Sequence, residues 1–322
     1  VLVVGGAGYI GSVCARALAE QGADVTTLDD LSTGHRGAVT GPLLVADLRD
    51  RARVREVLRS GRFDAVMHFA ARSVVGDSVH QPLPYYDVNV GGTTILIQEM
   101  LDAGVSSLVF SSTCAIYGAP QVLPLDEEQP FAPVSPYGET KLVVEQLLKH
   151  CRERHGLRVT CLRYFNAAGA VLTPPALGEA HRPETHLIPL AIEAALGRRP
   201  PLAVFGDDYP TRDGTCVRDY VHVLDLADAH LRALRRLLDG DPGDAYNVGT
   251  GVGTTVREVL DAVGAAVGQP VPHTLQGRRA GDPPELWARA DKIKRALGWA
   301  PQHLDIQDIV ASAARWAAAP RY

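Results

Sequence analysis

The feature that most constrains this chain lies in its first eleven residues, where Val1-Leu2-Val3-Val4 runs straight into Gly5-Gly6-Ala7-Gly8-Tyr9-Ile10-Gly11. A short apolar run without alternation reads as a strand covered on both faces. From Tyr9 to about Gln21, Ile10, Val13, Cys14, Ala17 and Leu18 recur at helical spacing. Joining strand to helix through glycines at 5, 8 and 11 demands a tight turn and close packing of the helix on the sheet. The chain therefore begins with the first half of a βαβ unit.

The same rhythm continues. Apolar runs at Asp24–Leu28, Leu43–Ala46, Ala65–Phe69, Ser107–Ser111 and Arg158–Arg163 alternate with helical patterns at about Arg51–Ser60, Leu83–Ala103 and Tyr137–His155. Repeated strand–helix alternation gives right-handed crossovers and a parallel sheet. The expected fold is α/β, a doubly wound, Rossmann-like parallel sheet with a smaller C-terminal α+β domain for substrate. Residues 1–168 would form the first domain and 169–322 mainly the second. Prolines and glycines crowd 170–217 and 269–287, and the rhythm is lost there. Tyr220–Val223 with the helical pattern Leu224–Leu238 resembles one more βα unit, so about 218–248 is expected to return to the large sheet. A cleft should form at the carboxyl ends of the strands.

Composition narrows the function. The chain carries 46% hydrophobic and 21% charged residues at a net charge of −5, with no basic block, which disfavours nucleic-acid binding. Five scattered cysteines without a CxxC pair argue against a disulfide framework and against a metal centre. No apolar run approaches the ~20 residues that span a bilayer. The opening strand runs into glycines as a signal peptide would not, so a cytoplasmic protein is expected. The first residue is Val1, and a few natural residues are expected to precede it.

Within the G-x-x-G-x-x-G turn, Gly5, Gly8, Tyr9, Ile10 and Gly11 are candidates to meet a dinucleotide pyrophosphate at the helix start. A tight ligand-free turn is the bland alternative. Asp29, about 20 residues on at the end of the next strand, strengthens the dinucleotide reading. A carboxylate there accepts from ribose hydroxyls and repels a 2′-phosphate, and Arg36 is distant, so NAD is favoured over NADP. Asp29 beside Asp30 also suits a turn. Asp47-Leu48 either borders the adenine or provides the N-cap of the next helix.

Tyr137-Gly138-Glu139-Thr140-Lys141 follows Ser135-Pro136 and opens a helix, so the phenol and the amine lie one turn apart on the same face. A free phenol titrates near ~10, and a close ammonium draws that value down toward a usable base. Ser111-Ser112-Thr113 ends a buried strand, where active sites of doubly wound sheets collect. Thr113 is the candidate catalytic hydroxyl; strand-end capping is the fair alternative for Ser111 and Ser112.

These elements together resemble the extended short-chain dehydrogenase/reductase family, and within it the nucleotide-sugar 4-epimerases. GGAGYIGS, HFAARSVVGDSV, SPYGETKLVVEQ, LRYFNAAGA, VFGDDYPTRDGTCVRDYVHVLDLADAH and YNVGTGVG carry the likeness, which runs from residue 1 to past 300. The resemblance implies NAD as cofactor and a UDP-hexose, UDP-glucose or UDP-galactose, as substrate, inverted at C4 through a transient 4-keto sugar. It implies Tyr137 as base and then acid, Lys141 on the nicotinamide ribose, and Thr113 orienting the C4 oxygen. Phe69, Ala70, Asn89 and Phe165 would border the cofactor. Asn166, Arg218 and Arg279 would contact substrate, the two arginines through its diphosphate, and Asp282 would hold the uridine ribose. By itself, Arg218 beside Asp219 reads equally as an ion pair. The family also implies a homodimer through the helices near 83–103 and 138–155, whose apolar faces fit an intramolecular core as well.

Three departures from the family pattern matter. Ser73 stands where relatives carry a lysine after Phe69-Ala70. Leu286 stands before Trp287 where a tyrosine narrows the hexose pocket, which suggests tolerance of N-acetylhexosamines. Cys114-Ala115 replace the Asp-Glu pair of related dehydratases, which argues against water elimination. Competing readings are a UDP-pentose or N-acetylhexosamine 4-epimerase, a decarboxylase, or a non-catalytic NAD-sensing protein.

Overall fold

Runs apolar without alternation become strands of the large sheet, buried on both faces except at the half-exposed edge strand Leu43–Val45. The computed structural model describes residues 1–279 and 281–322. In chain order come β1 (Leu2–Val4), α1 (Tyr9–Glu20), β2 (Thr26–Asp29), β3 (Leu43–Val45), α2 (Arg51–Gly61), β4 (Val66–His68) and α3 (Val75–His80). A continuous rod follows, made of α4 (Pro82–Tyr85), a π-helical stretch (Tyr86–Gly92) and α5 (Thr93–Asp102). Next are β5 (Ser107–Thr113), α6 (Pro136–His155) and β6 (Arg158–Tyr164). The later chain holds β7 (Asn166–Ala168), α7 (Leu187–Ala195), β8 (Leu202–Phe205), β9 (Val217–His222), α8 (Val223–Leu238), β10 (Ala245–Val248), β11 (Gly253–Thr255) and α9 (Val256–Val267). It ends with β12 (His273–Gln276), β13 (Glu285–Leu286), α10 (Asp291–Leu297) and α11 (Ile306–Ala318).

Seven parallel strands form one sheet in the order β3-β2-β1-β4-β5-β6-β10. Alternate side chains of each strand feed two separate cores. Val3, Met67 and Val109 pack under Val13 and Leu18 of α1 and Leu226 and Leu234 of α8. Leu2, Val4, Val66, Leu108 and Phe110 pack under Val54 of α2, Leu96 and Met100 of α5, and Val144 and Leu148 of α6. Burial on both faces is why these strands lack alternation. The order reverses between β1 and β4, and sheets of this kind take ligands in the crevice at the carboxyl ends of the strands there, beside the glycine turn.

From Val223 onward the 218–248 stretch joins the large sheet. Helix α8 covers one face and β10 pairs with β6. Strand β9 instead belongs to the smaller sheet, a correction to the sequence expectation. Strand β9 pairs with β11 and β13 through Val217–Asp219 and with β7 through Tyr220–His222, and with no strand of the large sheet. The Pro/Gly-rich stretch also contains α7 and β8, which the sequence does not announce. Pro189 sits in the first turn of α7, where its missing N–H has no intrahelical partner to lose. Among the described residues, no helix is long and apolar enough to cross a membrane.

Candidate active site

The glycine turn is shaped by its neighbours. Gly5 adopts φ +79°, and a Cβ there would lie 2.4 Å from the Ala70 nitrogen. A Cβ on Gly11 would lie 2.2 Å from the Gly5 oxygen, so helix and turn touch through backbone. Gly8 differs: its nearest neighbour would be 3.4 Å away, an ordinary contact, so the protein itself does not demand glycine there. Gly8 N-caps α1 with no side-chain cap, and the first turn carries no acidic residue. An uncapped helix start with room above it fits the pyrophosphate of a dinucleotide.

Asp29 closes the crevice wall. One carboxylate oxygen accepts the Ala7 N–H at 2.9 Å and the other the Leu31 N–H at 2.8 Å, leaving each with acceptor capacity for a ribose hydroxyl. Burial raises its pKa against these two N–H groups. Asp29 thus serves the turn and remains fit for a ribose. Phe69 and Ala70 both donate their N–H to the Val4 carbonyl, at 2.7 and 3.1 Å, which sets their backbone beside Gly5.

Several predicted cofactor residues also fasten the structure around the turn. The Tyr9 hydroxyl donates to the Gly169 carbonyl at 2.5 Å and ties the turn to the segment beyond β7. Ile10 packs half-buried against the core. Asn89 accepts the Arg72 N–H at 2.8 Å and donates to the Arg72 carbonyl and the Thr140 hydroxyl, each at 3.0 Å. It thereby clamps the segment after β4 to α6. Asp47 is ion-paired with Arg49, which also reaches Asp87 at 2.6 Å. The N-cap alternative for Asp47 is overturned: Asp50 caps α2, accepting the Arg53 N–H at 3.1 Å. Leu48 is buried in the core, 3.1 Å from where a Cβ on Gly92 would stand.

Beside the crevice, α6 starts because Ser135 accepts the Gly138 N–H at 3.2 Å and Pro136 occupies the first turn. Tyr137 and Lys141 follow on one face. Lys141 is buried, donates to the Ser111 carbonyl at 2.8 Å and lies 4.8 Å from the centre of the Phe110 ring. Burial lowers its pKa to about 7, with the Glu145 carboxylate opposing the shift. Burial pushes the Tyr137 phenol up to about 12, and a hydrogen bond with Thr113 pulls it back. Thr113 ends β5 and accepts the Ala115 N–H at 3.1 Å. Thr113 is therefore the hydroxyl that caps the following turn, while Ser111 meets the Tyr164 hydroxyl and Ser112 meets Glu145.

On the smaller sheet, Arg218 of β9 pairs with Asp282 and donates to the carbonyls of Val217 and Pro283 at 2.8 and 3.0 Å. The alternative pairing of Arg218 with Asp219 does not occur. Asp219 is buried and accepts from the N–H groups of Thr250, Gly251 and Ala288 and from the Thr250 hydroxyl. Arg279 lies exposed, its guanidinium 4.0 Å from the centre of the Phe205 ring. Asn166 begins β7 in register with Tyr220, and Phe165 is buried among Cys114, Tyr117 and Ala288, with Leu286 packed against the same group.

Sequence reasoning missed two charged groups. Glu145 and Arg163 form a buried pair at 2.6 Å beside Ser112 of β5. Glu179 takes His186 at 2.8 Å and His181 at 3.1 Å, and Glu184 also takes His186 at 2.8 Å. These carboxylates raise His186 to about 10 and the histidines lower Glu179 to about 2. The four offer donor atoms within 4.8 Å of one another, spacing that would suit a metal, but a double ion pair accounts for the arrangement. The doublet Glu179-x-His181 was the available signal.

Comparison with known proteins bears directly on this site. A family model described as the NAD dependent epimerase/dehydratase family matches residues 1–249. The UDP-glucose 4-epimerase of Rhizobium leguminosarum bv. trifolii is 52% identical over 317 residues, covering 98% of this chain and 96% of the relative. A Brucella ovis UDP-glucose 4-epimerase solved in complex with NAD superposes at a TM-score of 0.95 with 46% identity, over 98% of this chain and 97% of that one. A Bifidobacterium longum UDP-glucose 4-epimerase in complex with NAD+ and UDP gives 0.94 at 36% identity, over 99% and 98%. With sequence, fold and glycine turn in agreement, the chain belongs to the NAD dependent epimerase/dehydratase family.

Proposed function

We propose that this chain is an NAD-dependent epimerase that interconverts UDP-glucose and UDP-galactose by inverting C4 of the hexose. The observation that carries the reading is the Thr113–Tyr137–Lys141 set beside the crevice, in a chain 52% identical nearly end to end to a curated UDP-glucose 4-epimerase. Gly5, Gly8, Gly11 and Asp29 would hold NAD, with Phe69 and Ala70 along its edge. Bound NAD supplies the acceptor for hydride from sugar C4 and the donor that returns it.

Tyr137 takes the proton of the C4 hydroxyl, holds it on its phenol oxygen while the sugar is a 4-ketone, and gives it back to O4. Thr113 hydrogen-bonds to O4 and fixes its approach. An ammonium on Lys141, one turn along the helix, would favour the phenolate against the burial that pushes it up. Between the two half-reactions the ketose must present its other face, so firm diphosphate contacts with loose hexose contacts are required. Arg218 and Arg279 suit the diphosphate as charge-assisted donors, and Asp282, already paired with Arg218, suits the uridine ribose. Asn166, at the start of β7, would contact the sugar. Incubating purified protein with UDP-galactose and no added cofactor should yield UDP-glucose; no conversion, with NAD either retained or added, would reject the assignment.

The smaller Leu286 supports turnover of UDP-N-acetylglucosamine as well. Chromatography should show that sugar epimerised at a rate within about tenfold of UDP-glucose, the scale of one pocket contact. Absence of product beside brisk UDP-glucose turnover rejects it. A homodimer is part of the same proposal. Apolar side chains stand exposed along α3 and the following rod, among them Val79 at 58%, Leu83 at 79% and Tyr86 at 36%.

A further inference from the structure

Helix α6 carries Tyr137, Lys141 and then Glu145, each one turn beyond the last and so along one stripe. Glu145 is a buried carboxylate that the reaction as described does not use. It joins three elements. It accepts from the Ser112 hydroxyl, next to Thr113 at the end of β5, and from Arg163 of β6 through Nε at 3.0 Å and a terminal N–H at 2.6 Å. Arg163 in turn donates to the Tyr117 hydroxyl at 2.9 Å, and Tyr117 donates to Asn247 of β10 at 2.8 Å. The strand end bearing Thr113 and the helix bearing Tyr137 are thus pinned together through one carboxylate.

Charge gives Glu145 a second role. The titratable groups facing Lys141 are Glu145 on its own helix, Cys161 on β6 and His68 on β4. Burial pushes the Cys161 thiol well up and His68 down to about 3, so both are neutral near pH 7. Glu145, held in an ion pair with Arg163, is the one carboxylate among them. We propose that Glu145 is a positioning residue of this site: through Ser112 it fixes Thr113 against the Tyr137 helix, and it supplies the counter-charge that keeps Lys141 an ammonium beside the phenol. The inference rests on the reading of Tyr137 and Lys141 as base and charge partner.

Distance decides which charge effect wins. With a helical rise of about 1.5 Å per residue, Glu145 stands about 6 Å along the axis from Lys141 but about 12 Å from Tyr137. Removing its charge therefore acts on Lys141 first. Lys141 loses its proton at lower pH, and the phenolate of Tyr137, deprived of its cation, forms at higher pH.

The test compares E145Q, S112A, Y137F and wild-type enzyme with their retained cofactor. In E145Q, kcat at pH 7, where Lys141 of the wild type still holds much of its proton, should fall by about fivefold, and the pH at which Lys141 loses that proton should move lower, with KM for UDP-galactose unchanged. The near-ultraviolet phenolate step that separates wild type from Y137F should move to higher pH. S112A should lower kcat with both pH features left in place. An E145Q enzyme whose pH profile and phenolate step coincide with wild type overturns the proposal, whatever its absolute rate. If E145Q does not fold, R163Q gives the reverse test: the unbalanced Glu145 charge must shift both features the opposite way, and their staying put overturns the proposal equally. Full activity in Y137F would instead refute the underlying base assignment, so the two failures are distinguishable.

Discussion

Lys141 is a cation held among Phe110, a neutral His68 and a neutral Cys161, and that setting opposes stability to activity. Its unfolded pKa is near ~10.4, and burial lowers the folded value to about 7. Between these values the unfolded chain binds the extra proton, so the native state gains stability as pH rises from about 7 to about 10. K141M should abolish epimerisation yet raise the melting temperature of cofactor-free protein at pH 7, by an amount that shrinks toward pH 10. Calorimetry at pH 7 and pH 10 checks both signs; an equal or lower melting temperature at pH 7 would contradict them.

Among elements, the β1–α1 turn is tightly specified at two of its glycines. Gly5 meets the backbone of Ala70 and Gly11 meets the carbonyl of Gly5, so an added methyl has only main chain to displace. At Gly5 the positive φ adds backbone strain of about 1 kcal/mol or more. G5A should lower the melting temperature by several degrees and lose the retained NAD, read from the ultraviolet absorbance of the purified protein. G8A meets no atom closer than 3.4 Å, so it should keep the fold and lose NAD alone. Equal stability losses in both would show that Gly8 answers to packing rather than to a ligand.

For the whole molecule, the exposed apolar side chains of α3 and the following rod should be covered in solution. Light scattering is expected to give twice the mass of the 34.5 kDa chain, and L83D with Y86D to give a monomer. A wild-type monomer would reject the dimer. The rod also shows what sequence patterning passes over. Helical periodicity across 83–103 announces one helix, yet Tyr86–Gly92 is wound as a π-helix, which aims Asn89 at both Arg72 and Thr140.

What the residues dictate alone is local and repetitive. Apolar runs without alternation specify strands of a covered sheet, glycines at 5 and 11 specify a turn that packs on itself, and a four-residue interval on a helix puts Tyr137 and Lys141 on one side. Each depends on neighbours a few positions away, so spacing suffices. Tertiary structure decided the partners: Arg163 for Glu145, Asp282 rather than Asp219 for Arg218, and Ala70 against Gly5. These contacts join residues 18 to 65 positions apart, and which strands lie side by side determines them. A buried charge must be neutralised by whatever the fold brings within reach, and no interval along the chain encodes that choice.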